Sequence, residues 1–324
     1  MELRVLSADD LQRALPMPAC IECMRSVFAE FSRGNTIMPA RAHIDTPRGT
    51  VLVMPSYLTQ SGDCAVKIVS VYGDNPRQGL RMINGLVVVL NVQTGLPCAL
   101  LDANTLTAIR TGAAGGVAAD LLARRDASTV ALFGAGDQAR TQLEALLVVR
   151  PIQRVLLLSR SRASAEKFAT EVGNWPSAPT VEIFTDPAAA IAQADVVITA
   201  TTAEQPLFDG RQLKPGTHVT AVGSFQPHVR ELDEVTVQQA RVVVDSRAAA
   251  LAEAGDLIQA GLDASGGDAV VELGEVITNP ALGRRDNEQL TVFKSVGLAV
   301  QDAAAAACAL QTAANEDYGT IVQL

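Results

Sequence analysis

The chain has 324 residues, of which 48% are hydrophobic and 19% are charged, and its formal net charge at pH 7 is -9. This composition fills a large apolar core, which excludes a disordered, collagen-like or coiled-coil protein. The length predicts about two domains. Because the balance is acidic and the basic residues form no runs, we expect neither nucleic acid nor a membrane surface as a partner.

The termini and the cysteines point to a cytoplasmic protein. No apolar stretch approaches the roughly 18 residues of a membrane-spanning helix, and the N-terminus lacks the pattern of a secretion signal. The five cysteines lie in apolar segments, which predicts buried thiols rather than a disulfide framework. Cys20 and Cys23 have the spacing of a redox or zinc motif, but no second pair accompanies them. We therefore predict two ordinary helix residues and no metal site.

The first third of the chain combines two helices with short β-rich segments. Proline near its start and glycine at its end delimit a helix over 18–34. Strands are predicted over 50–54, 64–72, 85–91 and 96–101, and a helix over 104–124 follows. The spacing and the turn before residue 96 are typical of a mostly antiparallel sheet.

From residue 128 onward, short apolar strands alternate with helices. The predicted strands are 129–133, 154–158, 181–184, 195–199, 218–222 and 241–245. Strands that are apolar on both faces and alternate with helices indicate a parallel, doubly wound sheet. The final element is predicted to be one long helix over 292–314. On pattern alone, the domain boundary falls within 112–128.

Gly134, Gly136 and Ala139 follow the first apolar strand of this block and open a helix. In a dinucleotide-binding turn, the first glycine permits the tight turn and the second admits the pyrophosphate. A small third residue allows close helix–strand packing. Amide groups at the start of the helix then face the phosphates. Because strand, helix and second strand all have the required spacing, the segment predicts a nucleotide site.

The end of the second strand distinguishes the two nicotinamide cofactors. An enzyme that uses NAD usually places Asp or Glu there to bind the ribose hydroxyls. This chain instead has Ser159, Arg160, Ser161 and Arg162, with no acid. Two guanidinium groups suit the 2′-phosphate of NADPH, so NADPH is the expected cofactor and NADH the alternative. A solvated basic turn without such a role is the other interpretation.

Three basic residues of the first third occur in apolar or small-residue surroundings: Arg41, Lys67 and Arg110. Any one of them alone would be expected to extend its charge to solvent. Five motifs nevertheless occur in a fixed order: Lys67 with Tyr72-x-x-Asn75-Pro76, Leu101-Asp102 to Arg110-Thr111-Gly112-Ala113, Gly134-Ala-Gly136-x-Gln138-Ala139, Ala221-Val-Gly223-Ser224, and Phe293-Lys294-Ser295-Val-Gly297. Together they resemble the ornithine cyclodeaminase/mu-crystallin family over about 39–302.

The resemblance implies an α/β homodimer of two-domain subunits. A mixed α+β domain for substrate binding and dimerisation would comprise 1–115 with 298–324. A Rossmann-type, doubly wound parallel sheet that binds the dinucleotide would comprise 116–297. The dimer is implied by the family and not by any feature of the sequence itself.

The resemblance also assigns candidate site residues. Arg41, Lys67 and Arg110 would be the catalytic set that holds a substrate carboxylate by charge-assisted hydrogen bonds, with Lys67 placed to protonate or hydrogen-bond the reacting nitrogen. Met54, Phe225 and Ser295 would complete the substrate pocket. The residues expected to line the cofactor are Arg110, Thr111, Gly134, Ala135, Gly136, Asp137, Gln138, Ser159, Arg160, Ser161, Arg162, Thr201, Val222, Ser224 and Ser295.

Two departures from the cyclodeaminase pattern favour one activity within the family. Phe225 stands where cyclodeaminases carry a catalytic Asp, and phenylalanine cannot transfer protons; a shift of one residue would place Ser224 there instead. Leu52 stands where they carry a Glu for the second amine of ornithine, and an apolar wall suits a ring better. These departures favour NAD(P)H-dependent reduction of a cyclic imino acid, Δ1-pyrroline-2-carboxylate to L-proline, as a ketimine reductase.

Two alternatives stay open at this point. Ornithine cyclodeamination or alanine dehydrogenation with NAD would belong to the same family. A protein that retains NADPH and carries a small ligand, as mu-crystallin does in part, would be of another class. In each case the expected ligand is a small anionic imino or amino acid or a similar molecule.

Overall fold

The computed structural model describes residues 1–262 and 269–324. The chain divides into two compact units, and elements are numbered along the whole chain. Unit 1 comprises Met1–Arg110 with Leu298–Leu324, and unit 2 comprises Thr111–Gly297. The cut after residue 110 lies inside helix α3 (Ala103–Leu122), a few residues before the expected boundary.

Unit 1 contains one sheet and three helices besides the start of α3. Its strands are β1 (Glu2–Leu6), β2 (Thr36–Ile37), β3 (Ala42–Thr46), β4 (Gly49–Leu58), β5 (Cys64–Val71), β6 (Ile83–Leu90), β7 (Pro97–Asp102) and β16 (Thr320–Gln323). Its helices are α1 (Ala8–Ala14), α2 (Met17–Ser32) and α11 (Ala299–Asn315), and a 3₁₀ turn spans Asn75–Gln78. Strands β1, β2, β3 and β16 were not predicted from the sequence.

The sheet of unit 1 is mixed, in the order β16-β1-β7-β6-β5-β4-β2, and β3 also pairs with β4. All neighbours are antiparallel except β1 and β7. In β4, alternate residues from Leu52 to Leu58 are buried, which is the period of a strand covered on one face. The alanine-rich helix α11 packs on β4, β5 and α2. This covered face carries the charged cluster described below.

Unit 2 contains a second sheet with helices between its strands. The strands are β8 (Thr129–Phe133), β9 (Arg154–Leu158), β10 (Thr180–Phe184), β11 (Val196–Thr199), β12 (His218–Ala221), β13 (Arg241–Val244), β14 (Val270–Glu272) and β15 (Thr291–Lys294). The helices after α3 are α4 (Asp137–Val149), α5 (Arg162–Gly173), α6 (Pro187–Ile191), α7 (Glu234–Gln239), α8 (Arg247–Glu253), α9 (Gly255–Ile258) and α10 (Leu273–Thr278), and 3₁₀ turns span Gly210–Gln212 and Pro280–Leu282.

Every strand pair of unit 2 is parallel, in the order β10-β9-β8-β11-β12-β15-β13-β14. All five residues of β8 are buried, as expected for a strand covered on both faces. The first five strands follow the order of a Rossmann fold, which confirms the predicted fold class. From β8 the chain first adds strands on one side (β9, β10) and then on the other (β11, β12), so the strand order switches between β8 and β11. In such sheets, ligands bind outside the carboxyl ends of the strands at this switch point.

The helix predicted over 292–314 is wrong in its first part. Residues Thr291–Lys294 form the buried strand β15 between β12 and β13, and α11 begins only at Ala299. A short apolar run does not distinguish a buried strand from a buried helix by periodicity. Gly297 separates the two elements with a φ of +83°, a conformation that glycine adopts without strain. Within the described residues, no helix combines the length and apolar character needed to cross a bilayer.

Candidate active site

A charged cluster lies on the covered face of the unit 1 sheet. Lys67 on β5 is opposite Met54 on β4 and Val87 on β6. Arg41 directly precedes Ala42, the first residue of β3, which pairs with the neighbour of Met54. Arg110 on α3 completes the set. The side chains of Lys67 and Arg110 are both about 95% buried. Strand pairing and α3 thus bring together basic residues that are up to 69 positions apart in the sequence.

One carboxylate joins the two buried cations. Asp302 Oδ2 is 2.7 Å from Lys67 Nζ, and Asp302 Oδ1 accepts a hydrogen bond from Arg110 Nε at 3.0 Å. Asp302 lies in the first turn of α11 and is 1% exposed. Sequence reasoning missed it, although it is the single acid at the head of an alanine run. Two cations with one buried carboxylate leave excess positive charge, which suits a small anion.

The residue before Asp302 orients the guanidinium. Gln301 Oε1 accepts hydrogen bonds from Arg110 Nη1 at 2.8 Å and from the Leu298 amide at 3.0 Å. Its Nε2 is buried and has no hydrogen-bond acceptor in the described part of the chain. Arg110 therefore presents Nε to Asp302 and Nη1 to Gln301. Its Nη2 makes no hydrogen bond with any of the described residues, so this edge of the planar guanidinium is available to a ligand.

Burial and charge together set the proton affinity of Lys67. Burial first, together with the charges of Arg110 and Arg41, lowers the pKa of Lys67 to about 8, although the charge of Asp302 opposes this shift. Burial by itself would raise the pKa of Asp302, but Lys67 and Arg110 hold it below the usual value. The cluster therefore contains an ammonium group that can release its proton near neutral pH and a carboxylate that stays ionised.

The glycine-rich turn of unit 2 has the geometry of a dinucleotide cradle. Gly134 has a φ of +111°, and a Cβ there would lie 2.4 Å from the carbonyl oxygen of Ala200. A Cβ on Gly136 would meet nothing within 4 Å, so open space lies before this residue. Gly136 caps α4 without a side-chain hydrogen bond to its first amides. The turn thus fits a pyrophosphate at the start of α4.

The predicted phosphate-selecting residues lie at the end of β9 and the start of α5. Arg160 is exposed, and its Nη2 donates to Thr202 Oγ1 at 3.0 Å. Ser161 caps α5 by accepting a hydrogen bond from the Ser164 amide. Arg162 pairs with Glu166 one turn further along α5 at 2.8 Å. Arg160 is therefore the arginine with the freer guanidinium for a 2′-phosphate, since Arg162 is held along its own helix.

A buried carboxylate that pairs with no cation among the described residues organises the loops after β11 and β12. Glu231 is 0% exposed and accepts four hydrogen bonds. Their donors are the Thr199 hydroxyl at 2.8 Å, the Thr201 amide at 2.8 Å, the Thr201 hydroxyl at 2.7 Å and the Gly223 amide at 2.8 Å. Glu231 was not singled out from the sequence. It ties Thr201, a predicted cofactor residue, to the loop that follows β12.

Asp245 fixes the loop that follows β15. Its Oδ2 accepts hydrogen bonds from the Ser295 hydroxyl at 2.7 Å and from the amides of Val296 at 2.9 Å and Gly297 at 2.7 Å. The loop that begins at Ser295 is therefore fixed by one side chain that directly follows the neighbouring strand β13. Ser295, predicted for both substrate and cofactor, is buried and uses its hydroxyl in this contact.

The loop after β12 is anchored by a fully buried ion pair. Lys294 Nζ lies 2.8 Å from Asp256 Oδ2 and donates to the Ser224 carbonyl oxygen at 2.6 Å and to its hydroxyl at 2.9 Å. Burial would raise the pKa of Asp256, but Lys294 and Ser224 hold it below the usual value. The carbonyl and the hydroxyl of Ser224 are thus both used in contacts that hold this loop. The next residue, Phe225, is 39% exposed.

The predicted residues divide between the two units. Unit 1 contains Met54 and the three basic residues Arg41, Lys67 and Arg110. The charges of Arg41 and Arg110 act on Lys67. The others belong to unit 2 and follow the carboxyl ends of β8, β9, β11, β12 and β15, apart from Thr111 on α3: Gly134, Ala135, Gly136, Asp137, Gln138, Ser159, Arg160, Ser161, Arg162, Thr201, Val222, Ser224, Phe225 and Ser295. The Thr111 carbonyl accepts a hydrogen bond from Gln142 Nε2 at 2.8 Å. The hydroxyls of Ser224 and Ser295 donate to Asp256 and Asp245, and these contacts hold the loops.

All five cysteines lie in the described ranges and are free thiols, but only Cys20 is buried, so the expected burial is wrong for the four that are partly exposed. Cys23 on α2 and Cys308 on α11 line a cavity of about 330 Å³ in unit 1. The hydrogen bond between their thiols raises the pKa of Cys23 and lowers that of Cys308. No group of three or more His, Cys, Asp or Glu side chains within the described ranges could hold a metal ion.

The protein belongs to the ornithine cyclodeaminase/mu-crystallin family, whose model matches residues 1–316. The chain is 40% identical over 304 residues to a Δ1-pyrroline-2-carboxylate reductase of Bacillus cereus, covering 92% of this chain and 93% of that protein. The resemblance seen in the five motifs is thereby confirmed.

Two solved structures share the fold over nearly the full length. One is the Δ1-pyrroline-2-carboxylate reductase of Thermococcus litoralis in complex with NADH and L-proline. It has a TM-score of 0.92 and 37% identity, with 98% of this chain and 99% of that chain covered. The other is an archaeal alanine dehydrogenase dimer with bound NAD, with a TM-score of 0.92, 30% identity and full coverage of both chains.

Proposed function

We propose that the protein is a ketimine reductase that converts Δ1-pyrroline-2-carboxylate to L-proline with a reduced nicotinamide cofactor. The observation that carries this proposal is the buried cluster of Lys67, Arg110 and Asp302, which combines excess positive charge with a proton donor whose pKa is lowered to about 8. The reductases of Bacillus cereus and Thermococcus litoralis support the choice of substrate.

The residues of unit 1 have distinct roles in this reaction. Arg41 and the outer edge of Arg110 hold the substrate carboxylate by charge-assisted hydrogen bonds. The Lys67 ammonium donates its proton to the ring nitrogen, which makes the adjacent carbon electrophilic. When bound, the nicotinamide cofactor supplies the hydride that this carbon accepts. Lys67 is left as a neutral amine and regains a proton from solvent.

The apolar residues beside the cluster favour a ring over a second amine. Leu52 and Met54 are buried on β4 and pack with Ala299 at the start of α11. Leu52 offers no carboxylate to a terminal ammonium, and Phe225 offers no proton-transferring group. Both observations favour reduction of a cyclic imine over cyclodeamination of ornithine.

The activity is tested by cofactor oxidation in the presence of pyrroline-2-carboxylate, piperideine-2-carboxylate, or pyruvate with ammonia. We expect the highest kcat/KM with pyrroline-2-carboxylate and no ammonia release from ornithine with NAD. Lys67→Ala should lower kcat/KM by about 10²- to 10⁴-fold, since a positioned general acid contributes about that much. Near-normal kcat/KM in this variant, or ammonia release from ornithine, contradicts the assignment.

For the cofactor, we propose that NADPH is preferred and that NADH is the alternative. Arg160, with Ser159 and Ser161 beside it, replaces the acid that would bind the ribose hydroxyls of NADH. A charge-assisted hydrogen bond to phosphate contributes about 1.5–3 kcal/mol, so Arg160→Gln should reduce the NADPH/NADH ratio of kcat/KM by about 10- to 100-fold. Arg211→Gln, an exposed arginine paired with Asp209, is the matched control. A wild-type preference for NADH overturns the proposal.

We also propose a homodimer formed through the face of the unit 1 sheet opposite the one that α11 covers. Ile68 and Leu86 are paired across β5 and β6 and are 43% and 51% exposed. Exposed apolar side chains in adjacent positions are typical of an interface. Light scattering after size exclusion should give about twice 34.0 kDa, and Ile68→Asp should give the monomer. A monomeric wild type contradicts this proposal.

A further inference from the structure

We propose that Asp302 is a positioning residue for the reduction: its carboxylate keeps the Lys67 side chain in the ammonium form and aligned for proton donation, while it holds Arg110 by Nε. This inference rests on the proposed function, because it concerns how the same cluster performs the reaction. Asp302 comes from the C-terminal helix α11, 192 positions beyond Arg110 and 235 beyond Lys67.

The contacts are arranged so that one carboxylate serves both cations. Oδ2 faces Lys67 at 2.7 Å and Oδ1 faces Arg110 at 3.0 Å, so neither oxygen is shared. The carboxylate is 1% exposed, and solvent therefore screens neither contact effectively. Placement at the start of α11 favours a negative charge through the helix dipole. The site thus retains an ionised acid next to the residue whose proton the reaction uses.

The balance of charge around Lys67 depends on Asp302. The charged groups that act on Lys67 are Asp302 from α11, Arg110 from α3 and Arg41 from the segment before β3. Two of the three are positive and favour the neutral amine, as burial also does. Asp302 is the single opposing charge among them. Its removal would leave a buried lysine facing two guanidinium groups, and such a lysine would lose its proton at neutral pH.

Gln301 supports the arrangement by fixing the second cation. It occupies Nη1 of Arg110, so that Asp302 contacts Nε and the Nη2 edge is left for the substrate carboxylate. The proton donor and the carboxylate clamp are therefore positioned by consecutive residues of one helix turn. A bidentate pair between Asp302 and Arg110 would instead occupy two of the nitrogens that the ligand needs.

The first test measures the titration of Lys67 directly in the full-length protein. Because the chain contains four lysines, labelling them with ¹³C at Cε gives four side-chain NMR signals, and Lys67→Gln identifies the one that is lost. We expect a midpoint near pH 8 in the wild type and below about pH 7 in Asp302→Asn. Glu30→Gln, which alters another buried acid of unit 1, should leave the midpoint unchanged. An unchanged midpoint in Asp302→Asn overturns the proposal.

The second test uses the pH profile of kcat/KM for pyrroline-2-carboxylate. In Asp302→Asn, the alkaline fall in activity should begin about one pH unit lower or more, whereas a purely structural loss would reduce activity equally at every pH. Asp302→Glu keeps the charge but displaces it, so its Lys67 midpoint should stay near the wild-type value while kcat falls. This variant also replaces Asp302→Asn if the latter fails to fold. A wild-type kcat in Asp302→Glu overturns the positioning role.

The two proposals fail in distinguishable ways. The titration of Lys67 does not depend on the substrate. If pyrroline-2-carboxylate is not reduced but the Lys67 midpoint still depends on Asp302, the proposed function is wrong and the electrostatic role of Asp302 is right. If the reaction proceeds and neither the midpoint nor the pH profile depends on Asp302, the proposed function stands without this positioning residue.

Discussion

Gly134 and Gly136 belong to one turn but serve different physical purposes. Gly134 is needed by the fold itself, because it combines a φ of +111° with a 2.4 Å approach of its missing Cβ to the Ala200 carbonyl. Gly136 has a φ of -101° and open space where a Cβ would lie. The first glycine is thus required before any ligand binds, whereas the second is required only when a ligand approaches.

Alanine should therefore have different effects at these two positions. Gly134→Ala should lower the free energy of unfolding by about 1–3 kcal/mol, since alanine in that conformation is strained and its Cβ has no room. Gly136→Ala should leave the melting temperature within error of the wild type but weaken cofactor binding. Thermal unfolding and a fluorescence titration with NADPH measure the two effects. Equal destabilisation by both substitutions would contradict the distinction.

The thiols of Cys64, Cys98 and Cys308 differ in proton affinity. The hydrogen bond from Cys23 lowers the pKa of Cys308, while burial raises the pKa of Cys64 and Cys98. Because the thiolate is the reactive form, Cys308 should be alkylated by iodoacetamide at neutral pH before Cys64 and Cys98. Peptide mapping by mass spectrometry gives the order, and Cys23→Ser should slow the reaction of Cys308. Faster labelling of Cys64 or Cys98 would show that the thiol pair does not govern reactivity.

At the scale of elements, the loops of unit 2 depend on buried carboxylates at the carboxyl edge of the sheet. Glu231 binds the segments after β11 and β12, and Asp245 binds the segment after β15. Each acid accepts several backbone and hydroxyl donors rather than one cation. Such contacts fix loops whose backbone groups would otherwise be buried without partners. The same edge of the sheet carries the predicted cofactor residues Thr201 and Ser295.

Glu231→Gln tests the dependence of these loops on the carboxylate. An amide has one acceptor oxygen, and its NH₂ group would face a donor, so at least one buried donor loses its partner at a cost of about 1–3 kcal/mol. We expect a lower free energy of unfolding and weaker NADPH binding. Glu234→Gln, at an exposed residue paired with Arg230, is the control for charge loss alone. Wild-type cofactor affinity in Glu231→Gln would show that these contacts do not position the site.

At the scale of the whole molecule, one buried histidine links stability to pH. His218 is fully buried between the hydroxyls of Thr291 and Thr220. Burial first, and then the charges of Arg284 and Arg150, lower its pKa to about 3 from the usual 6.5. Between these values the unfolded chain binds a proton that the folded chain excludes. Stability is therefore fully present above about pH 6.5 and decreases as the pH falls below it.

The expected outcome is a free energy of unfolding that already declines between about pH 6.5 and pH 5, a range above the ordinary pKa values of Asp and Glu and thus above most of the carboxylate titration. Asn in place of His218 retains polar groups but does not titrate, so His218→Asn should flatten this part of the curve. Urea denaturation at several pH values measures it. A wild-type curve that is level from pH 7 to pH 5 would contradict the depressed pKa.

The local elements and the fold class follow from the sequence alone, apart from elements such as the strand over 291–294. Apolar strands, glycine-rich turns and helix ends depend on neighbouring residues, so the Rossmann-type order and the turn at Gly134 were predictable. The five motifs identified the family. The basic character of Lys67 and Arg110 was equally visible, as was the absence of an acid after the second strand.

Tertiary structure alone decided which distant residues meet. Whether 291–294 is a strand depended on the neighbours β12 and β13, since a buried apolar run is compatible with either conformation. Asp302 gains its role because α11 returns to the sheet of unit 1 and places a carboxylate between Lys67 and Arg110. Burial and charge then set the proton affinity of Lys67. These contacts join residues about 200 positions apart, and a local pattern of side chains does not predict contacts between residues so distant in the sequence.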